Sequence, residues 1–422
     1  VLNAYDLIAI PALKTFARVG SLFNAKLKKG IDGRRDLERT IESHYEGITA
    51  PRILIHVASF GELEQAKPII DALALRIPKP HIHLTFFSPS GYENASGKYP
   101  TPDLITYSPF DDGAAVKRFL SIVQPDLALF VRYDVWPNMA KHLRTLQVPS
   151  ILFSATFDPK RESVVVRKLH RHMYDQLSRI FTISVEDKAG FERLGVSAPI
   201  DVAGDTRVDQ VSRRAEAIKR GKKHSLPQNI RHVLKDQFVI VAGSTWPEDE
   251  ALFDPAFLHK LNAYLILAPH EPTETHVERL QLKFGSKAIA LSDAERYREE
   301  RVIIVNSIGK LFDLYQEASL AYVGGGFSAG VHNVLEPAVW GKPVIVGPNH
   351  RHSQEVAEMI FEGGAQEIAG KIDLDRAIEK FISHPKSLAI GSASALQFVK
   401  NKAGATEKIM RAISDSLYQD RS

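Results

Sequence analysis

The stretch "ILIHVASFGELEQAKPII", Ile53–Ile70, puts a carboxylate where chemistry can be done. An apolar run ends near Ala58, turns at Gly61 and enters a helical pattern at about Glu62. A carboxylate there faces whatever binds beyond the strand and can act as a general base. It can equally close a capping box, because Ser59-Phe60-Gly61-Glu62 lets Glu62 reach back to the Ser59 N–H. Both readings stand on the sequence.

Three further segments carry groups suited to a phosphorylated ligand. In "VIVAGSTWPEDEALF", Val239–Phe253, a strand runs into Gly243-Ser244-Thr245 and Pro247 opens a helix. Free N–H groups and hydroxyls at such a start suit an anion, while Thr245 and Glu248 can instead pair as a cap. "LILAPHEP", Leu265–Pro272, leaves a strand into Pro269-His270, where the imidazole is either within reach of a phosphate or base, or merely solvated. The stretch Gly324–Pro348 holds six glycines and three prolines around His332, Asn333 and Glu336. Its backbone can come close to a phosphate, and Glu336 can accept hydrogen bonds from a ribose diol. The competing reading gives those glycines to close strand–helix packing.

The elements that must position these groups are short β-rich runs alternating with helical segments. Strands are predicted at Ile53–Val57, Ile82–Phe87, Leu127–Val131, Ser150–Phe153, Ile180–Ile183 and Ile200–Val202. In the second half they fall at Phe238–Ala242, Tyr264–Ala268, Val302–Val305, Leu320–Val323 and Pro343–Val346. Their near-continuous apolar character suits strands covered on both faces, and repeated βα units imply parallel sheets. The expected architecture is α/β: two doubly wound, Rossmann-like domains facing a cleft. All four segments then lie at the carboxyl ends of strands, where such sheets bind ligands. The expected division is a basic N-terminal segment at 1–35, a first domain at 36–212, a charged linker at 213–232 and a second domain at 233–422, with the last helix able to cross back.

Composition narrows the classes. At 422 residues, with 44% hydrophobic and 25% charged, the chain is an ordinary globular one of two domains. Without cysteine it has no disulfide, no thiolate nucleophile and no Cys-based metal site. A net charge of +4 gives no reason to expect nucleic acid. Neither GxxxxGK[ST] nor HExxH occurs, and no GxGxxG opens the first βα unit. A nucleotide carrying a single phosphate on a donor sugar needs no metal bridge, and none is expected.

Residues 1–35 depart from that average. They carry Lys14, Arg18, Lys26, Lys28, Lys29, Arg34 and Arg35 against Asp6 and Asp32, interleaved with Leu2, Leu7, Ile8, Phe16, Val19, Leu22 and Phe23. The apolar run Leu7–Leu13 is far short of the ~20 residues a spanning helix needs. A basic amphipathic segment lying in a membrane interface fits; so does a terminal helix docked on its own domain.

Four motifs, taken together and in order, resemble those of the 3-deoxy-D-manno-octulosonic acid (Kdo) transferases of lipopolysaccharide assembly. They are "HVASFGE" (His56–Glu62), "WPN" (Trp136–Asn138), "GST" (Gly243–Thr245) and "GVHNVLEPAVWGKPVIVGP" (Gly330–Pro348). The resemblance spans nearly the whole chain. It implies a GT-B glycosyltransferase that moves Kdo from CMP-Kdo to the lipid A precursor, with inversion, at the cytoplasmic face of the bacterial inner membrane. It implies a peripheral or monotopic protein with no cofactor beyond the donor substrate. By position Glu62 matches the general base. Ser244, Pro269, His270, Ile308, Gly309, Lys310, Asn333, Val334, Leu335 and Glu336 match the segments that contact CMP.

The chain departs from the family pattern in places. Where Glu-x-Glu-Leu-Trp-Pro-Asn is expected it reads Arg132-Tyr133-Asp134-Val135-Trp136-Pro137-Asn138. Pro-Arg-His-Pro-Glu-Arg becomes Pro269-His270-Glu271-Pro272-Thr273-Glu274, so positive charge for the phosphate must come from elsewhere, such as His270 or Lys310. The paired glycines before His-Asn are Gly330-Val331. Two rivals remain: another GT-B enzyme acting on a UDP-sugar, transferase or epimerase, and a non-catalytic lipid- or nucleotide-binding protein.

Overall fold

The computed structural model describes residues 5–157, 164–221, 224–351 and 353–418. Leu2 of the basic segment, Lys222 and Lys223 of the expected linker and the end of the second domain therefore lie outside the described residues. The chain forms two compact units, Val1–Gln210 with Ala403–Ser422, and Val211–Lys402.

The first unit is built on seven strands: Arg52–Val57 (β1), His81–Phe86 (β2), Leu104–Tyr107 (β3), Leu127–Val131 (β4), Ser150–Ala155 (β5), Arg179–Thr182 (β6) and Ile200–Val202 (β7). They are ordered β3-β2-β1-β4-β5-β6-β7, and every pairing is parallel. Side chains alternate between two cores. Ile53, Ile55 and Val57 face one with Leu127, Leu129 and Val131; Leu54 faces the other with Ala128 and Phe130. Burial on both faces explains why these strands read as unbroken apolar runs.

The second unit repeats the plan with Phe238–Thr245 (β8), Ala263–Pro269 (β9), Ala288–Ala290 (β10), Val302–Ile304 (β11), Leu320–Val323 (β12), Val344–Val346 (β13) and Ala365–Glu367 (β14). Their order is β10-β11-β9-β8-β12-β13-β14, again all parallel. The direction of winding reverses between β1 and β4 in the first sheet and between β8 and β12 in the second. Those are the places where such sheets hold ligands.

The expected linker at 213–232 is different in the structure. A helix, Thr206–Gly221, runs into it, and a second follows at Gln228–Leu234. Val208, Val211, Ala215 and Ile218 are buried at helical spacing. The charges between them are the solvated face of that helix. The final helix, Ala405–Tyr418, lays Ala405, Ile409, Met410 and Ile413 into the core of the first unit. Asp209 receives the Gly404 and Thr406 N–H groups at 2.7 and 2.6 Å.

The N-terminal segment is helical over Tyr5–Ala9, Ile10–Gly20 and Ala25–Asp32. Polar contacts hold it to the first unit. Tyr5 Oη donates to Asp111 at 2.9 Å, Lys14 pairs with Asp112 at 2.7 Å, and Asn138 Nδ2 donates to Asp6 at 2.6 Å. The half-buried Arg34 guanidinium donates to the Ser108 and Phe87 carbonyls, at 2.8 Å each, and lies over the rings of Phe87, Tyr107 and Phe110. Leu7, Ile8, Phe16, Val19, Leu22 and Phe23 face outward and exposed. Among the described residues no helix is long and apolar enough to cross a membrane.

Candidate active site

Glu62 sits at the third position of the helix Phe60–Ala74, just beyond the carboxyl end of β1, and is only 3% exposed. The expected capping box does not form. Glu62 Oε2 instead accepts the Ala58 N–H at 2.5 Å, and Ser59 makes no side-chain cap. The carboxylate is thus folded back over the end of the strand. Burial first, and then the charge of Asp134, push its pKa up to about 7, against the Ala58 N–H, His56 and Arg132. A carboxyl group poised there takes a proton near neutrality far better than an ordinary glutamate.

Its surroundings come from three strands. His56 occupies a buried position on β1 that its neighbours fill with aliphatic side chains. Its Nδ1 meets Thr85 Oγ1 on β2 at 3.0 Å and its Nε2 meets Asp134 Oδ2, beyond β4, at 3.1 Å. Trp136 Nε1 donates to the same Asp134 oxygen at 3.3 Å, and its ring lies 4.8 Å from that of Phe87. Arg132, one turn earlier, is exposed and has φ +66°. His56 and the support of Asp134 were not expected from the sequence; a histidine within an otherwise aliphatic strand is the signal that could have shown them.

In the second unit the expected segments leave four adjacent strands, β11, β9, β8 and β12, at their carboxyl ends. Ser244 lies at the end of β8 with φ +53°. Pro269 ends β9, buried, and His270 follows it, exposed. Ile308 and Gly309 form an exposed turn after β11, and Lys310 directly precedes the short helix Leu311–Leu314 without a side-chain cap. Asn333 Oδ1 accepts the Leu335 N–H at 3.1 Å, at the start of the helical turn Leu335–Ala338. Val334 and Leu335 are buried, and Glu336 is half-buried near Tyr315, whose phenol is pushed up by burial and by the charge of Glu336.

The turn after β8 is tied differently from expectation. Thr245 pairs with Glu250 rather than Glu248, at 3.1 Å, and Asp249 rather than an external anion takes the Trp246 N–H, at 2.9 Å. Asp249 is fully buried and also accepts from Tyr322 Oη at 2.6 Å and from the Gly325 N–H at 2.8 Å. One carboxylate therefore pins the glycine loop to the β8 turn. The glycines answer in part to packing: a Cβ on Gly324 would lie 2.3 Å from the Ser244 carbonyl oxygen, and one on Gly326 2.5 Å from the Gly347 nitrogen. Packing of backbone on backbone, not only the approach of a ligand, requires glycine at these two positions.

Beside this turn Trp246, His270 and His332 stack in a column, with ring centres 5.0 and 4.5 Å apart. The indole N–H donates to His332 Nε2 at 3.1 Å, so the His332 proton sits on Nδ1. Burial, and His270 beside it, hold the His332 pKa down. A pocket of about 560 Å³ opens against Thr245, Trp246, His270, His276 and Arg279. His276 and Arg279 reach the buried Glu250 at 2.9 and 3.2 Å. Arg279 brings a positive charge to the pocket beside His270, and sequence reasoning did not find it or His276. Among the described residues no group of three His, Asp or Glu side chains is placed to hold a metal ion.

The architecture has clear relatives. UDP-GlcNAc 2-epimerase from Neisseria meningitidis superposes with a TM-score of 0.58 over 86% of this chain and 99% of that one, at 12% identity. A second, the putative UDP-N-acetylglucosamine 2-epimerase from Listeria monocytogenes, gives 0.57 over 89% and 98%, at 14% identity. At such identities the likeness concerns fold alone, and the fold is GT-B. That the chain is a glycosyltransferase of that fold rests on its sequence relatives. Sequence carries the comparison one step further: residues 31–210 match the family described as 3-deoxy-D-manno-octulosonic-acid transferase (kdotransferase). The chain is 27% identical over 377 residues to the 3-deoxy-D-manno-octulosonic acid transferase of Haemophilus influenzae, covering 85% of each chain. It is also 27% identical over 347 residues to that of Aquifex aeolicus, covering 81% of this chain and 88% of the other.

Proposed function

We propose that this enzyme transfers Kdo from CMP-Kdo to a hydroxyl of the lipid A precursor, lipid IVA, with inversion, in lipopolysaccharide core assembly. The observation that carries the reading is Glu62: a buried carboxylate at the switch point of the first sheet, with its pKa raised to about 7. As the acceptor oxygen attacks the anomeric carbon, Glu62 takes the hydroxyl proton. The bond from that carbon to the phosphate oxygen breaks, and CMP leaves with the bonding electrons. No covalent enzyme intermediate is required, so a single displacement inverts the centre.

Ser244, Pro269, His270, Ile308, Gly309, Lys310, Asn333, Val334, Leu335 and Glu336 contact CMP in this reading. Lys310 and backbone N–H groups stabilise the charge that develops on the leaving phosphate, and Glu336 accepts from the ribose hydroxyls. The outward apolar face of the N-terminal helices, with exposed Arg18, Lys26 and Lys28 around it, would rest on the anionic cytoplasmic leaflet of the inner membrane.

The test is incubation with freshly made CMP-Kdo and a tetra-acylated lipid A precursor, followed by mass spectrometry of the lipid. Addition of Kdo is expected. A lipid of unchanged mass, together with thermal protection by UDP-GlcNAc but not by CMP, would point to a UDP-sugar enzyme instead.

A further inference from the structure

Glu62 follows β1, and Asp134, on the loop after the neighbouring strand β4, bonds the β1 residue His56; only Glu62 does chemistry in the reading above. Asp134 is not there by default. His56 and Trp136 both donate to its Oδ2, at 3.1 and 3.3 Å, and its side chain is 17% exposed. An ionised carboxylate only accepts, so the shared His56 proton lies on Nε2. Behind His56, Thr85 Oγ1 meets Nδ1 at 3.0 Å and the Ile55 carbonyl at 3.3 Å, fixing the ring. The Trp136 ring is held in turn against Phe87. Three elements are therefore committed to keeping a negative charge beside Glu62, an arrangement that works against folding unless it serves the site.

We propose that Asp134, held by His56 and Trp136, is a positioning residue that sets the basicity of Glu62 for the transfer; the inference rests on Glu62 being the general base. The groups facing Glu62 are His56 from β1, the Ala58 N–H from the turn that follows it, and Arg132 and Asp134 from the loop after β4. Asp134 favours the protonated carboxyl, and the other three favour the ionised one. Removing Asp134 or His56 should therefore move Glu62 in opposite directions, which a merely structural role would not do.

The experiment is the pH profile of kcat/KM for Kdo transfer by the full chain, from pH 5 to 9. It is paired with a carbon-13 titration of labelled glutamate carboxyls, read as a difference against Glu62→Gln. Asp134→Asn is expected to move the acid limb and the Glu62 titration down by roughly one pH unit, the low end for loss of a neighbouring charge. Its plateau rate should fall, because the base is weaker. His56→Gln keeps an N–H for Asp134 but loses the ring, and should move both upward by less. Profiles and titrations that superimpose on the wild type, while Glu62→Gln abolishes turnover, overturn this inference alone. Near-normal turnover by Glu62→Gln overturns the assignment of the base. Should Asp134→Asn not fold, Asp134→Ser, which also removes the charge, is read in its place: the same downward shift is expected, and an unshifted profile overturns the inference.

Discussion

Replacing Glu62 by Gln should cost activity and increase stability, and the second effect can be worked out from the structure. Its carboxyl pKa is lifted from 4.5 to about 7 in the fold, chiefly by burial and then by Asp134. Between those values the native protein holds a proton that the unfolded chain has released. A raised pKa thus contributes stability that is present below about pH 4.5 and lost as pH rises through 7. A shift of about 2.5 units corresponds to roughly 3 kcal/mol, at about 1.4 kcal/mol per unit. Glutamine does not titrate, and its amide oxygen can still accept the Ala58 N–H. The variant should therefore match the wild type near pH 4.5 and exceed it by up to about 3 kcal/mol at pH 8.5, while turnover falls roughly 10²–10⁴-fold. Trp136 is the one tryptophan in the first unit; Trp246 and Trp340 lie in the second. Urea unfolding followed by fluorescence in a Trp246→Phe, Trp340→Phe background then reports on the unit that carries Glu62. A stability difference that does not grow with pH would refute the raised pKa. A stable, fully active variant would return Glu62 to the role of a helix-start ligand for Ala58.

Glu336→Gln is expected to weaken CMP binding by about 1–3 kcal/mol, roughly five- to 150-fold, through ribose hydroxyls left poorly matched. Calorimetric titration checks it, and an unchanged affinity would mean the ribose lies elsewhere. Phe16→Ser with Phe23→Ser removes two side chains that are 70% and 87% exposed, so folding should be untouched. Sedimentation with anionic vesicles should fall at least about tenfold, given ~1.5–3 kcal/mol for each buried aromatic, and in the wild type it should weaken in high salt. Turnover on detergent-dispersed acceptor should be spared; equal sedimentation of variant and wild type would exclude this face as the anchor.

How much of this could be read in advance depended on where each residue lies in its sheet. The central strands, buried on both faces, announce themselves as runs such as Leu127–Val131 and Leu320–Val323. The strands the sequence did not reveal are β3, β10 and β14, and all three are sheet edges. An edge strand is paired on one side only, and "AIA" or "AQE" is too short and too mixed to stand out from a loop. That the candidate segments lie at strand ends was legible, because the runs before them read as parallel strands. Their support was not. Asp134 lies 78 residues from His56, and Asp249 lies 76 from the Gly325 N–H it holds. Such pairings follow from topology, and no local spacing encodes them. Even Glu62 went partly wrong: its three-residue spacing from Ser59 is right for a capping box, yet its carboxylate went one residue further, to Ala58.

The same topology explains a departure from the family pattern. Read along the chain, Arg132 in place of an acid looks like the loss of a functional group. In the fold, Arg132 is an exposed residue with φ +66°, its guanidinium over the Tyr133 ring at 5.3 Å. The acid two residues on, Asp134, is the one that His56 and Trp136 hold beside Glu62. An arginine here also acts on Glu62 in the opposite sense to Asp134, favouring its ionised form. With one raising and the other lowering the same carboxyl, the acid limb of the reaction becomes a balance between two side chains of one short loop. With Glu62 as the proposed proton acceptor, substitution at 132 is a change of tuning that leaves the proposed mechanism intact, because that carboxyl and the acid proposed to set its strength are both still in place.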